Sequence, residues 1–162
     1  MGQVPNTPVE ETNLPVVQQQ APSTQTFEQT RVADAKARAD NAVHRARQAD
    51  SRIQALRNSI IAEGEQVGLS ETISAALVMV NHQRGLAAKQ VERAERWHRK
   101  AVRRCQMFDN NGDYVSLVKA IRYAHVAERA AALAENQAYF AEYYHVDRNR
   151  YQLVDKGPDD ES

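Results

Sequence analysis

Cysteine and tryptophan each occur only once in these 162 residues, and no long run of apolar residues is present. A single cysteine excludes an intramolecular disulfide and suits a reducing compartment, so we expect Cys105 to be a small buried thiol rather than a nucleophile. Without a run of roughly 20 apolar residues or a signal-peptide pattern, the sequence predicts neither a membrane span nor secretion. We therefore expect a cytoplasmic protein, or one held within a viral or other macromolecular assembly.

Proline is also scarce, and four of the five prolines fall within residues 1–25. The same stretch contains three consecutive glutamines and few large apolar residues, a composition that cannot bury enough surface to offset the entropy of ordering. We expect these residues to form a disordered Pro/Gln-rich arm. The Met-Gly start suggests myristoylation at Gly2, but Asn6 replaces the required Ser or Thr, so lipidation is not expected.

Small apolar residues recur at alternating intervals of three and four in two separate segments. This spacing keeps one side of an α-helix facing a partner helix over many turns. The first seam consists of Val32, Ala35, Ala39, Ala42, Ala46, Ala49, Ile53, Leu56 and Ile60. The third-helix seam consists of Leu117, Ala120, Ala124, Ala127, Ala131, Ala134, Ala138, Ala141 and His145. A bulkier seam between them consists of Ile73, Leu77, Val80, Ala87, Val91, Ala94, His98, Ala101, Cys105 and Phe108, interrupted by the charged Arg84.

Capping and turn residues divide this pattern into three helices. A capping box begins at Thr26, and Ser70 and Asp113 are suitable N-caps for the two later helices. Gly64 and Gly68 bracket the first turn. The predicted helices cover 27–63, 70–108 and 113–146. Two short turns between long helices imply antiparallel neighbours.

The predicted fold is therefore all-α. Residues 26–151 should form an elongated up-down-up three-helix antiparallel bundle, coiled-coil-like and with Ala-rich seams. The disordered arm precedes this bundle, and residues 152–162 should form a short acidic tail.

Charged residues beside the two alanine seams also recur every seven positions. The turn positions make the first and third helices parallel, with an offset of roughly 89 residues, so each arginine lies about one position from a glutamate. Opposite charges at such flanking positions set the register of parallel helix pairs. The sequence thus predicts an inter-helix ladder formed by Arg38, Arg45, Arg52, Glu128, Glu135 and Glu142.

Residues 84–108 contain eight basic and two acidic residues, although the whole chain has zero net charge. A stripe of arginines and lysines can contact phosphates, acidic lipid or an acidic protein. An ordinary solvated helix face is the other interpretation. The anionic-partner face, called the basic face below, consists of Lys89, Arg93, Arg96, Arg99, Lys100, Arg103 and Arg104.

Two Glu/His pairs fall at one level of the predicted hairpin: Glu95 with His98, and His125 with Glu128. Two carboxylates and two imidazoles could bind zinc or a di-iron centre. Because Glu128 already belongs to the ladder, we favour histidines hydrogen-bonded to glutamates across the helix pair, and we expect no metal and no cofactor.

Five aromatic residues lie close together near the end of the third helix: Tyr139, Phe140, Tyr143, Tyr144 and Tyr151. Such a cluster can cover the open end of a bundle. Aromatic groups are also frequent anchors in protein interfaces, so the cluster is a possible docking site.

These features favour a non-enzymatic structural or assembly protein, because phosphate-binding glycine loops and nucleophile elbows are missing from the sequence. The leading hypothesis is one component of a larger particle or scaffold, for example a virion, acting through helical protein–protein contacts or self-association. The alternative is a module that binds an anionic surface, nucleic acid or acidic lipid, through the basic face. A metal-binding helical bundle is the third possibility.

Overall fold

Three long helices, packed against one another, make up the described part of the chain. The computed structural model describes residues 2–3 and 24–155, with side chains in the helices described for 27–145. Helix α1 spans Thr24–Val67, α2 spans Glu71–Asn111 and α3 spans Tyr114–Asp155. No strand occurs within the described ranges. The predicted all-α, up-down-up three-helix bundle is confirmed, and its helices of 41 to 44 residues are about 60 Å long.

The first helix is longer at both ends than predicted. Because α1 begins at Thr24, the capping box predicted at Thr26 lies inside the helix. Residues 24 and 25 therefore belong to α1, and the predicted disordered arm otherwise lies outside the described residues apart from 2–3. At the other end α1 continues through Gly64 to the turn at Gly68, since one glycine weakens a helix without ending it.

The third helix continues nine residues beyond its predicted end. It extends through 152–155, so the first four residues of the predicted acidic tail are helical. This stretch contains helix-compatible arginine, glutamine and leucine, and the first helix-breaking residue is Gly157. With no breaker before Gly157, α3 continues into the predicted acidic tail.

The turns use the predicted caps. Ser70 Oγ accepts a hydrogen bond from the backbone N–H of Ile73 at 3.2 Å, which satisfies a free donor of the first turn of α2. Asp113 Oδ1 accepts from the Val115 N–H at 3.0 Å and caps α3 in the same way. Gly112 has a φ of 62°, and its N–H donates to the Phe108 carbonyl, which ends α2.

Nearly every predicted seam residue is buried in the bundle interior. The seam alanines of α1 and α3 are 0–1% exposed, whereas the few large side chains buried as completely include Ile53, Ile60 and Leu117. Each missing methylene removes about 0.8 kcal/mol of burial energy relative to a larger side chain, so this core supplies less stability than a leucine-rich one. In return, the small side chains allow the helices to approach each other closely.

One seam position of α2 differs from the prediction. Gln83, rather than Arg84, occupies the buried position between Val80 and Ala87, while Arg84 is half-buried beside it. The seam thus advances three residues from Val80 instead of four. This keeps the Arg84 guanidinium out of the core, because an unpaired charge in the core would be costly.

The Arg–Glu ladder forms with the predicted partners, at an offset of 90 residues. Arg38 Nε lies 2.6 Å from Glu128 Oε1, and Arg45 Nε donates to Glu135 Oε1 at 2.6 Å. Arg52 binds both carboxylate oxygens of Glu142, at 2.8 and 2.7 Å. That hydrogen bonding is the main cause of a raised pKa at Arg52. The ladder fixes α1 and α3 as parallel helices.

Charge reversal tests this register. The Arg45→Glu variant should unfold more readily, because it places two carboxylates together, and adding Glu135→Arg should restore part of the loss. Both side chains are about one-third exposed, so we expect a coupling free energy of only about 0.3–1 kcal/mol. Urea unfolding of the two single variants, the double variant and the original chain measures it.

The matched control combines Arg45→Glu with Glu128→Arg, which lies two helical turns from position 135. These two changes should be additive, because residues 45 and 128 have different partners. Additivity of the 45/135 pair as well would contradict the ladder.

Candidate functional site

The proposed metal ligands are not brought together. Glu95 Oε1 pairs with Arg47 Nη2 of α1 at 2.9 Å, and His98 Nε2 lies 2.6 Å from Asp40 Oδ1, also in α1. His125 is instead exposed on the outside of α3. Within the described residues, no three His, Cys, Asp or Glu side chains are placed to hold a metal ion.

The metal hypothesis is therefore wrong for these four residues. The levels along α2 and α3 were compatible, but the side chains point in different directions. Glu95 and His98 turn toward α1, and Glu128 turns toward Arg38. The favoured alternative, His–Glu hydrogen bonds across the α2–α3 pair, is wrong for the same reason, because the partner of His98 is an aspartate of α1.

Most of the basic face is exposed on the outer side of α2. Lys89, Arg93, Arg96, Lys100 and Arg103 follow steps of four and three and lie on one side of the helix. Among residues 27–145, none of these five has a carboxylate partner within ion-pair distance. Their charges are therefore available to an external anion.

The other two members of the basic face are directed elsewhere. Arg99 borders the groove between α1 and α2, together with the Asp40–His98 pair. Arg104 is partly buried, with Nη1 3.8 Å from the sulfur of Met107. The outer side of α2 therefore carries five of the seven residues predicted for the basic face.

A groove between α2 and α3 adds positive charge that the sequence interpretation missed. Arg93 of α2 lies on one side of it, and Arg122 and Arg129 of α3 lie on the other. The groove has a volume of about 490 Å³. Both α3 arginines are exposed and, like Arg93, have no carboxylate partner within residues 27–145. Their seven-residue spacing was visible in the sequence and could have identified them.

Two aromatic rings lie in this α2–α3 groove. The ring centroids of Trp97 and Tyr123 are 5.2 Å apart with the planes tilted by 47°. Lys100 Nζ lies 4.3 Å from the Trp97 ring centroid, a cation–π contact. The rest of the lining is apolar, from Val126, Ala130 and Leu133. The groove thus combines a partly apolar floor with cationic groups from both helices.

The aromatic cluster of α3 is exposed rather than folded over the bundle end. Tyr139 stacks on Tyr143, and Phe140 stacks on Tyr144, each pair with ring centroids 6.2 Å apart. The four rings, called the aromatic patch below, are 46–66% exposed. The backbone of Tyr151 belongs to α3, but its side chain lies outside the described residues.

Cys105 is buried between the helices, as expected from its seam position. Its side chain is 3% exposed, and Sγ lies 3.7 Å from the Val32 carbonyl oxygen. Desolvation, and to a smaller extent the Asp109 carboxylate, raises the pKa of the thiol. A buried thiol that resists ionisation is a poor nucleophile.

No family model, curated protein or solved structure matches this chain. Within the described residues, none of the helices combines the length and hydropathy needed to cross a membrane.

The raised pKa of Cys105 predicts a loss of stability at alkaline pH. Below the unfolded-state pKa of about 8.5, the thiol is protonated in both states and the linkage has no effect. Above it, the unfolded chain releases a proton that the folded chain retains, so the free energy of unfolding falls, by at most about 1.4 kcal/mol per pH unit.

Urea unfolding of the original chain and Cys105→Ala between pH 7 and 10, under reducing conditions, measures this effect. The stability of the original chain relative to the alanine variant should decrease above about pH 8.5. A difference that stays constant with pH would contradict the buried thiol, since all other titrating groups are common to both proteins.

Proposed function

We propose that this chain is a non-enzymatic structural or assembly protein, one component of a larger particle or scaffold such as a virion. It acts through helical protein–protein contacts, and its first partner is a second copy of itself. The observation that carries the proposal is the aromatic patch, in which four adjacent rings of one helix are exposed to solvent.

Aromatic side chains contribute strongly to protein interfaces because they bury large areas at small cost in conformational entropy. Exposed contiguous patches of this kind are typical of interaction sites rather than of free surfaces. The rings form two pairs with nearly parallel planes on successive turns of one helix, so they present a contiguous apolar surface.

A second copy is favoured because the outer side of α3 repeats a coiled-coil spacing. Val126, Leu133 and Phe140 are spaced by seven; Val126 is half-buried, and Leu133 and Phe140 are 42% and 49% exposed. The exposed Leu133 and Phe140 can be covered by the same two residues of another α3. The alanine-lined core gives the single bundle little reserve of stability, so burial of these side chains in a dimer would stabilise it.

Sedimentation equilibrium over a range of protein concentrations tests the proposal. The original chain should show reversible, concentration-dependent association. Phe140→Ala with Tyr144→Ala should weaken it at least about tenfold, because interface aromatics commonly contribute 2 kcal/mol or more. The control, Phe27→Ala with Tyr114→Ala, removes two exposed aromatic residues outside the patch and should leave association unchanged.

A monomer at all concentrations would contradict self-association. Association that both double variants weaken equally would mean that the patch is not the interface.

A second candidate function is binding of a polyanion, favoured by the exposed and unpaired charges of the basic face. Guanidinium and ammonium groups on one side of a rigid helix can neutralise several phosphates and release their counterions. Such binding is compatible with assembly, since a particle component can contact both protein and nucleic acid.

Binding to a fluorescent duplex DNA or to heparin, measured at several salt concentrations, tests this second function. Affinity should fall steeply with salt, and R93E/R96E/K100E should abolish binding. The control R31E/K36E/R57E changes net charge equally on α1 and should retain most of it. Absence of binding at low salt, or equal loss in both triple variants, would contradict a specific basic face.

A further inference from the structure

We propose that the α2–α3 groove is a binding site for single-stranded nucleic acid, with phosphates held by its arginines and bases stacked on its aromatic pair. The inference rests on the second candidate function and assigns it a ligand and a location. Arg122, Tyr123 and Arg129, all in α3, become binding residues that the basic face did not include.

Positive charge is concentrated in the α2–α3 groove. Arg93 of α2 faces Arg122 and Arg129 of α3 across the groove. Since no carboxylate pairs with any of the three within residues 27–145, the groove gathers guanidinium groups without internal neutralisation. Guanidinium groups bind phosphate through paired, geometrically fixed hydrogen bonds. A groove with such groups on both walls suits a strand of phosphates that runs between them.

The groove also contains an aromatic pair. Trp97 of α2 and Tyr123 of α3 line it together with the three arginines, and their ring centroids are 5.2 Å apart. Proteins that bind single strands combine a cationic groove with aromatic rings on which bases stack. In the proposed complex a base replaces the Lys100 ammonium on the face of Trp97, and the ammonium pairs with the adjoining phosphate. In that complex Trp97, Lys100 and the neighbouring arginines all contact the same bound strand.

The form of the site favours a single strand over a duplex. A duplex hides the faces of its bases, so Trp97 and Tyr123 would have no role in binding it. The charges also line a groove between two antiparallel helices, rather than one projecting helix of the kind that enters a major groove. An unpaired strand presents both its phosphates and its base faces.

An acidic peptide is the competing ligand, and the lining favours nucleic acid. A docked helix would need an apolar stripe along several turns, whereas the apolar lining here is interrupted by Arg93, Arg122 and Arg129. The basic face also continues along the outside of α2 from Lys89 to Arg103, a distance of about 21 Å at helical rise. Such an extended array of positive charge suits a linear polyanion.

Because Trp97 is the only tryptophan in the chain, its fluorescence reports directly on the groove. The full chain is titrated at low salt with three probes: a 12-residue oligothymidine, an abasic deoxyribose-phosphate strand of equal length, and a duplex. Oligothymidine should quench Trp97 and bind about 5- to 150-fold more tightly than the abasic strand, the range that one stacked base supplies.

Variants then separate charge from stacking. R122E/R129E should weaken the binding of all three probes at least about tenfold, because it removes one wall of the groove. Tyr123→Leu should weaken only oligothymidine and bring its affinity close to that of the abasic strand. R31E/K36E, which makes the same change of net charge on α1, is the control. Circular dichroism and melting establish that each variant is folded, and the exposed R122E/R129E pair tests the groove even if Tyr123→Leu is unstable.

The other possible results of these titrations overturn different parts of the proposal. Equal affinity for oligothymidine and the abasic strand overturns the stacking inference and leaves a general polyanion site. Binding lost in R93E/R96E/K100E but retained in R122E/R129E overturns the groove while preserving the basic face. An acidic peptide of equal length that binds more tightly than oligothymidine overturns the choice of ligand. No binding of any probe at low salt overturns both this inference and the second candidate function.

Discussion

The constraint on which the rest of the structure depends is the small size of the side chains between the helices. Alanines such as Ala42, Ala46 and Ala131 are completely buried. They allow the three helices to approach closely, but they leave little interior space for larger groups. Most aromatic and charged side chains therefore lie in the grooves or on the outside, and Phe108 is the buried aromatic residue of the α2 seam. Because the core itself contributes modest burial energy, contacts made on these outer surfaces have a larger relative effect on stability.

Each of the three helix pairs uses its groove differently, and charge explains the division. The α1–α3 groove contains the Arg–Glu ladder, in which opposite charges neutralise each other within the chain. The α1–α2 groove contains separate ion pairs, such as that of Arg47 with Glu95. The α2–α3 groove contains Arg93, Arg122 and Arg129, for which the described residues supply no carboxylate partner. Although the whole chain has zero net charge, this groove is locally cationic, because the acids that pair with arginines of α1 lie in the other two grooves.

The features that could be predicted from the sequence are those set by residue spacing and by local capping chemistry. The seams, the ladder partners and the caps at Ser70 and Asp113 all follow from spacing and local chemistry, and all are observed except at Arg84, whose place in the α2 seam is taken by Gln83. The proposed metal site failed because a common level along two helices does not fix which groove a side chain enters; Glu95 turns toward α1. The α2–α3 groove was missed for a related reason. Arg122 and Arg129 are separated from Arg93 in sequence, and only the packing of two antiparallel helices brings them together. Helix ends were misplaced where a single glycine did not end the helix, as at Gly64, and where no breaker preceded Gly157, as at the end of α3.

The most direct test of this account is a distance between α1 and α3 within one chain. Spin labels are attached through cysteines at Gln48 and Asn136, which are exposed and nearly level at the 90-residue offset, in a chain carrying Cys105→Ala. The sample is diluted with an excess of unlabelled protein, so that pulsed dipolar spectroscopy measures only distances within a chain. The account predicts a single distance of about 20–30 Å, set by neighbouring helices and label length, that dilution leaves unchanged. A longer distance, or a short one that disappears on dilution, would contradict it: the ladder would then join different chains, and the α2–α3 groove would not belong to a three-helix unit.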